Sequence, residues 1–119
     1  MNEKKSLTTE ETFALAYQNH KKNNLQVAEN LYKETLKTNP NHVDAHSNLG
    51  MILLKSRNLQ KAKSCFEKAI EINPNYAFAH NNLGLVFNEL RELQKAKSCF
   101  EKTILIIQIF FITRNWCYL

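Results

Sequence analysis

Apolar side chains fall at three- and four-residue steps along the middle of the chain, as in Leu59, Ala62, Phe66, Ala69 and Ile70. That spacing is the stripe of an amphipathic helix with one face turned to a core. The stripe is not used once. Leu25, Ala28, Tyr32 and Leu36 anticipate it, and the block running from Leu59 to Lys68 returns unchanged from Leu93 to Lys102. Ala45-His-Ser-Asn-Leu-Gly50 likewise returns as Ala79-His-Asn-Asn-Leu-Gly84, always at an offset of 34 residues. Each period reads as two helices. The first helices are expected over 9–22, 43–56 and 77–90, and the second over 25–38, 59–72 and from 93 onward.

The breaks between helices carry their own chemistry. Thr8 and Glu11 have the spacing of a capping box for the opening helix. Asn39-Pro40-Asn41 and Asn73-Pro74-Asn75 punctuate the periods. Asparagine tolerates the left-handed conformation that ends helices, and proline prevents the second helix from continuing, so both features are expected at these stops. Gly50 and Gly84 each follow a leucine inside a first helix, while Ala62 and Ala96 hold a fixed place in the second. Small residues there let two helix backbones approach. Each glycine stands alone in mid-helix, which excludes a phosphate-binding loop.

This pattern resembles the tetratricopeptide repeat, a helix–turn–helix unit with Leu-Gly, then Ala, Phe, Ala and Pro at set spacings. Leu49-Gly50, Ala62, Phe66, Ala69 and Pro74 match in the middle unit, and Leu83-Gly84, Ala96 and Phe100 in the third. The first unit fits more loosely, through Ala28, Tyr32 and Pro40. The expected fold is all-α: three stacked units forming a short right-handed superhelical solenoid. The expected divisions are a lead-in over 1–8, units over 9–42, 43–76 and 77–104, and an apolar tail over 105–119.

The resemblance implies a binding module, in which the first helices line a concave groove that holds a peptide or extended segment. By repeat position the groove residues are Phe13, Tyr17, Ser47, Asn48, Met51, Asn81, Asn82 and Leu85. Asn48-Leu49-Gly50 and Asn82-Leu83-Gly84 are similar to the asparagine ladder of O-GlcNAc-transferase-like repeats, with Ala14 breaking the ladder in the first unit. The carboxylate clamp of chaperone-binding members uses lysines and an arginine around two asparagines. Its positions here hold Phe13, Tyr17, Asn48, Phe78 and Asn82, so a groove of aromatic and amide groups is expected in place of a cationic one.

Composition narrows the function further. Of 119 residues, 44% are hydrophobic and 23% charged, a globular balance. Asp44 is the single aspartate, which argues against carboxylate metal cages, and no cofactor, metal site or enzymatic activity is expected. The net charge of +5 comes from lysines interleaved with glutamates, as in Glu29, Lys33, Glu34 and Lys37. Such interleaving reads as solvated helix faces with i,i+4 partners, not a nucleic-acid surface. His42 and His46 have the i,i+4 spacing of helical metal ligands but lack further ligands nearby, so packing is the expected role. Three cysteines without a close pair, and no apolar leader, suggest a reducing, cytoplasmic setting. Cys65 and Cys99 lie one repeat apart and are expected to stay unpaired.

The tail breaks the rule of the repeat. After Lys102 the sequence Thr-Ile-Leu-Ile-Ile-Gln-Ile-Phe-Phe-Ile replaces both the polar outer face and the Asn-Pro stop. The third unit's second helix is therefore expected to run on to about Ile112, too short to span a membrane and apolar on all sides. Repeat arrays ordinarily close with a polar face. Self-association through this tail is one expectation. Another is that the chain is the front of a longer repeat protein, such as a glycosyltransferase- or sulfotransferase-like enzyme.

Overall fold

Six α-helices, with no strand among the described residues, carry the chain in the computed structural model: α1 Thr9–Lys21, α2 Leu25–Thr38, α3 Val43–Lys55, α4 Leu59–Ile72, α5 Ala77–Glu89 and α6 Leu93–Trp116. The structure describes residues 6–116; residues 1–5 and 117–119, the ends of the expected lead-in and tail, lie outside the described residues. The helices pack as antiparallel pairs α1·α2, α3·α4 and α5·α6, and each pair leans on the next through α2·α3 and α4·α5. The result is a helical solenoid of 57 × 43 × 25 Å with a radius of gyration of 16.5 Å. A compact chain of this length would measure about 13–14 Å, so contacts run along one axis, as repeats require.

The core is the repeat stripe itself. Ala28, Tyr32, Ala62, Phe66 and Ala69 are fully buried, interleaved with Ala45, Leu49, Ile52, Ala79, Leu83 and Val86 from α3 and α5. A Cβ placed on Gly50 would lie 2.8 Å from the ring of Phe66, and one on Gly84 would lie 2.6 Å from Phe100. The glycines thus let the aromatic ring of the second helix rest directly on the backbone of the first. No larger residue fits without moving that ring.

The capping box forms as expected: the Glu11 N–H donates to Thr8 Oγ1 at 3.1 Å, and the Thr8 N–H donates to Glu11 Oε1 at 3.4 Å. Glu11 and Gln18 on the outer side of α1 are exposed, where the equivalent Ala45 and Ala79, and Ile52 and Val86, are buried. Leu15, between them and equivalent to the buried Leu49 and Leu83, is 40% exposed.

The expected left-handed asparagines are not where the punctuation put them. Asn39 and Asn73 have φ of −137° and −131°, extended because a proline follows and its ring disfavours helical backbone in the residue before it. Their side chains instead accept from the N–H groups of Asn41 and Asn75, at 3.1 and 3.2 Å. The left-handed residues are Asn23, Arg57 and Arg91, one per unit in the tight turn between its helices. His46 and His80 complete each Asn-Pro turn by donating Nε2–H to the carbonyls of Pro40 and Pro74, at 2.7 and 2.8 Å. They are ties between a helix and its turn.

α6 runs past Ile112 to Trp116, 24 residues against 14 for α2 and α4, because neither proline nor glycine stops it. Ile104, Leu105, Ile107, Ile109, Phe110, Phe111 and Ile112 are all exposed. No helix among the described residues is long and apolar enough to cross a membrane.

Candidate functional site

The first helix of each unit faces one side of the solenoid, and there α1, α3 and the start of α5 enclose a cavity of about 520 Å³. Phe13, Tyr17, His20, Lys21, Asp44, Asn48, Met51, Tyr76 and Phe78 line it. Four of the sequence-predicted residues, Phe13, Tyr17, Asn48 and Met51, come together here. The other four do not. Ser47 is fully buried and Asn82 is 6% exposed, each with a polar atom that lacks a hydrogen-bond partner among the described residues. Asn81 and Leu85 stand on the exposed face of α5 outside the cavity.

The same repeat position thus has different surroundings in different units. Asn48 opens into the cavity while Asn82, one period on, is closed off, so the two amides do not form two equal rungs. His20, Lys21, Asp44 and Tyr76 were not among the expected groove residues. Asp44 shares its repeat position with Phe78, one of the clamp positions read from the sequence, and that shared register was the available signal. Tyr76 lies before α5, in the turn, where helix periodicity gives no signal at all.

Local sequence fixes each wall. His42 begins α3 by accepting the Ala45 N–H on Nδ1 at 3.1 Å, and its ring packs 4.4 Å from that of Phe13. Tyr76 occupies the equivalent N-cap position of α5 but makes no cap with its side chain. Its hydroxyl reaches back one unit and donates to Asp44 Oδ1 at 2.6 Å. Burial, and then the bond to the Asp44 carboxylate, push the Tyr76 phenol well above its ordinary value, so it remains the donor. Tyr76 and Phe78 stand with ring centroids 6.0 Å apart. At the opposite end the Lys21 ammonium lies 5.4 Å from the centre of the Tyr17 ring. His20 shares a 3.0 Å hydrogen bond with Tyr32, whose phenol burial raises to about 12. Burial, and then the charge of Lys55, lower the His20 pKa, so its ring is neutral at pH 7.

The arrangement is one of recognition. Ring faces, a thioether, one amide, one carboxylate and one ammonium surround a space of the size that small ligands or two or three peptide residues fill. Among the described residues no three His, Cys, Asp or Glu side chains gather as metal ligands. Cys65 and Cys99 are free and partly buried on the second helices; burial pushes the Cys65 thiol up to about 11 and raises Cys99 as well, so both are poor nucleophiles at neutral pH.

Two family models described as Tetratricopeptide repeat match residues 43–76 and 65–98, so this part of the chain consists of tetratricopeptide repeats. Comparison with curated proteins gives no match. Among solved structures, the crystal structure of MamA superposes with a TM-score of 0.80 at 23% identity, over 85% of this chain and 59% of MamA. The second TPR of Spaghetti (RPAP3), bound to the HSP90 peptide SRMEEVD, superposes with a TM-score of 0.80 at 20% identity, over 82% of this chain and 91% of that one. The chain spans under two thirds of the MamA length and nearly all of the RPAP3 repeat domain. Both likenesses establish the tetratricopeptide solenoid as the fold.

Proposed function

We propose that the chain is a non-enzymatic protein-interaction module that holds an extended peptide segment in the groove of α1, α3 and α5. The cavity carries this reading: four of the five positions equated above with the carboxylate clamp, Phe13, Tyr17, Asn48 and Phe78, line a single space. The RPAP3 domain of the same fold is seen with a peptide bound, which supports the class of ligand. The units proposed are 9–42, 43–76 and 77–104, with 105–119 as a separate tail. The alternative, the front of a glycosyltransferase- or sulfotransferase-like enzyme, is read from the tail that breaks the repeat and from the likeness of Asn48 and Asn82 to an asparagine ladder; Asn82, only 6% exposed, does not favour it. Selection of displayed random dodecapeptides against the chain tests the proposal. Binders should emerge whose affinity falls when Tyr17 or Met51 becomes alanine. A selection yielding only binders indifferent to both changes would sink it.

The tail supports a second role. Exposed apolar side chains surround α6 from 104 to 112, with Gln108 the only polar residue among them, and contiguous exposed apolar surface of that kind is uncommon on monomers. Pairing of this segment with that of a second copy is the reading it favours.

A further inference from the structure

We propose that the groove selects its peptide by a cationic side chain, arginine or lysine, seated between the Asp44 carboxylate and the rings of Tyr76 and Phe78. This rests on the peptide-binding reading and specifies its ligand. Asp44 is the one acidic side chain that lines the cavity. Glu29, Glu34, Glu71, Glu89, Glu92 and Glu101 each have a lysine or arginine nitrogen within 4.0 Å, whereas Asp44, in a chain of net charge +5, has none among the described residues. The acid that lines the cavity is left without a cation.

Its geometry suits one. The Tyr76 hydroxyl occupies Oδ1, and Oδ2 accepts no hydrogen bond from the described residues. The phenol donates to one carboxylate oxygen, and the other remains open to the groove. Tyr76 and Phe78, tilted 37° to one another, supply aromatic surface beside it, and a guanidinium or ammonium over a ring face is attracted by the ring quadrupole. Lys21, resting on Tyr17, shows the same pairing made internally at the other end of the cavity. The two ends therefore differ in sign. Asp44 attracts a cation, and Lys21 is the single cationic side chain of the lining while His20 is neutral. An acidic peptide would meet one ammonium and be repelled by Asp44. A segment carrying a basic side chain toward α5 fits both.

The experiment uses the tightest dodecapeptide from the display selection whose binding depends on Tyr17. Selected sequences should share arginine or lysine at one position. Replacing that residue with citrulline or norleucine should weaken binding roughly tenfold, the scale of a charge-assisted contact in a partly desolvated site. Asp44→Asn, which keeps an acceptor for Tyr76, should weaken the parent peptide by the same factor and leave the uncharged peptide unaffected. Circular dichroism of the variant checks that α3 and α5 are retained. Tyr17-dependent binders without a shared basic residue, or indifference of the parent peptide to Asp44→Asn, would overturn the cation proposal and leave peptide binding standing. Failure to obtain any Tyr17-dependent binder would overturn both.

Discussion

The Arg57 guanidinium donates to Glu89 Oε2 at 2.8 Å across the joint between the second and third units, and one period earlier Lys55 donates to Asn23 Oδ1 at 3.2 Å. The two bonds occupy the same place in the repeat with donor and acceptor exchanged: a turn residue meets the last residue of the next unit's first helix. Each turn residue is also the left-handed residue of its unit, with φ of 65° at Asn23 and 66° at Arg57. A side chain that tolerates an unfavourable backbone thereby gains a partner across the joint.

Arg91 keeps the same backbone, with φ of 63°, but makes no ion pair among the described residues. Left-handed backbone costs a residue with a Cβ about 1–2 kcal/mol, against roughly 0.5–1 kcal/mol of extra chain entropy for glycine. Arg91→Gly should therefore stabilise the fold by up to about 1 kcal/mol in urea unfolding. Arg57→Gly should gain less, since it gives up Glu89. Equal or greater gain at Arg57 would show that the joint bond contributes nothing.

Gly50→Ala and Gly84→Ala should differ although the added methyl group meets a ring in both. Phe66 is fully buried and has nowhere to go, so Gly50→Ala should cost about 1–3 kcal/mol even after the helix-propensity gain. Phe100 lies half-buried on the last helix and can swing outward, so Gly84→Ala should be near neutral. Thermal melts of the two variants decide the matter, and equal losses would mean that α6 is held as tightly as α4.

Acid should loosen the first unit. The folded pKa of His20 lies below its ordinary 6.5, through burial first and Lys55 second. The unfolded chain then binds the proton more readily than the folded one, so stability is complete above about pH 6.5 and falls as the pH drops through that value toward the folded pKa. His20→Gln should flatten the melting-temperature profile between pH 7 and pH 5. A profile as steep as that of the parent would assign the acid sensitivity elsewhere.

Sedimentation velocity should show the full chain associating with increasing concentration, and removal of residues 105–119 should leave a monomer. A full chain that stays monodisperse and monomeric at high concentration would mean that the exposed face of α6 needs no cover.

The solenoid was legible because its information repeats: a 34-residue offset fixes helix, turn and core together, and one misread residue does not disturb the rest. The groove was legible only by half. Phe13, Tyr17, Asn48 and Met51 follow from repeat position, but whether a position is open depends on what the neighbouring unit lays over it. Ser47 and Asn82 occupy groove positions and are covered, while Tyr76 enters the site from a turn. The asparagines at the stops were misread for a related reason, since local preference for the left-handed region yields to the proline that follows.

The exposed apolar face of α6 bears on how copies of the chain can meet. If two copies pair through that face, as proposed above, both use the same surface and the pairing closes after two. Such a pair carries two grooves at fixed separation. A target with two basic segments at matching spacing would engage the second groove at a local concentration set by its own linker, and its hold would exceed that of either site without a new contact. Weak single-site binding is then compatible with a long-lived complex, and the apolar tail becomes the element that sets avidity.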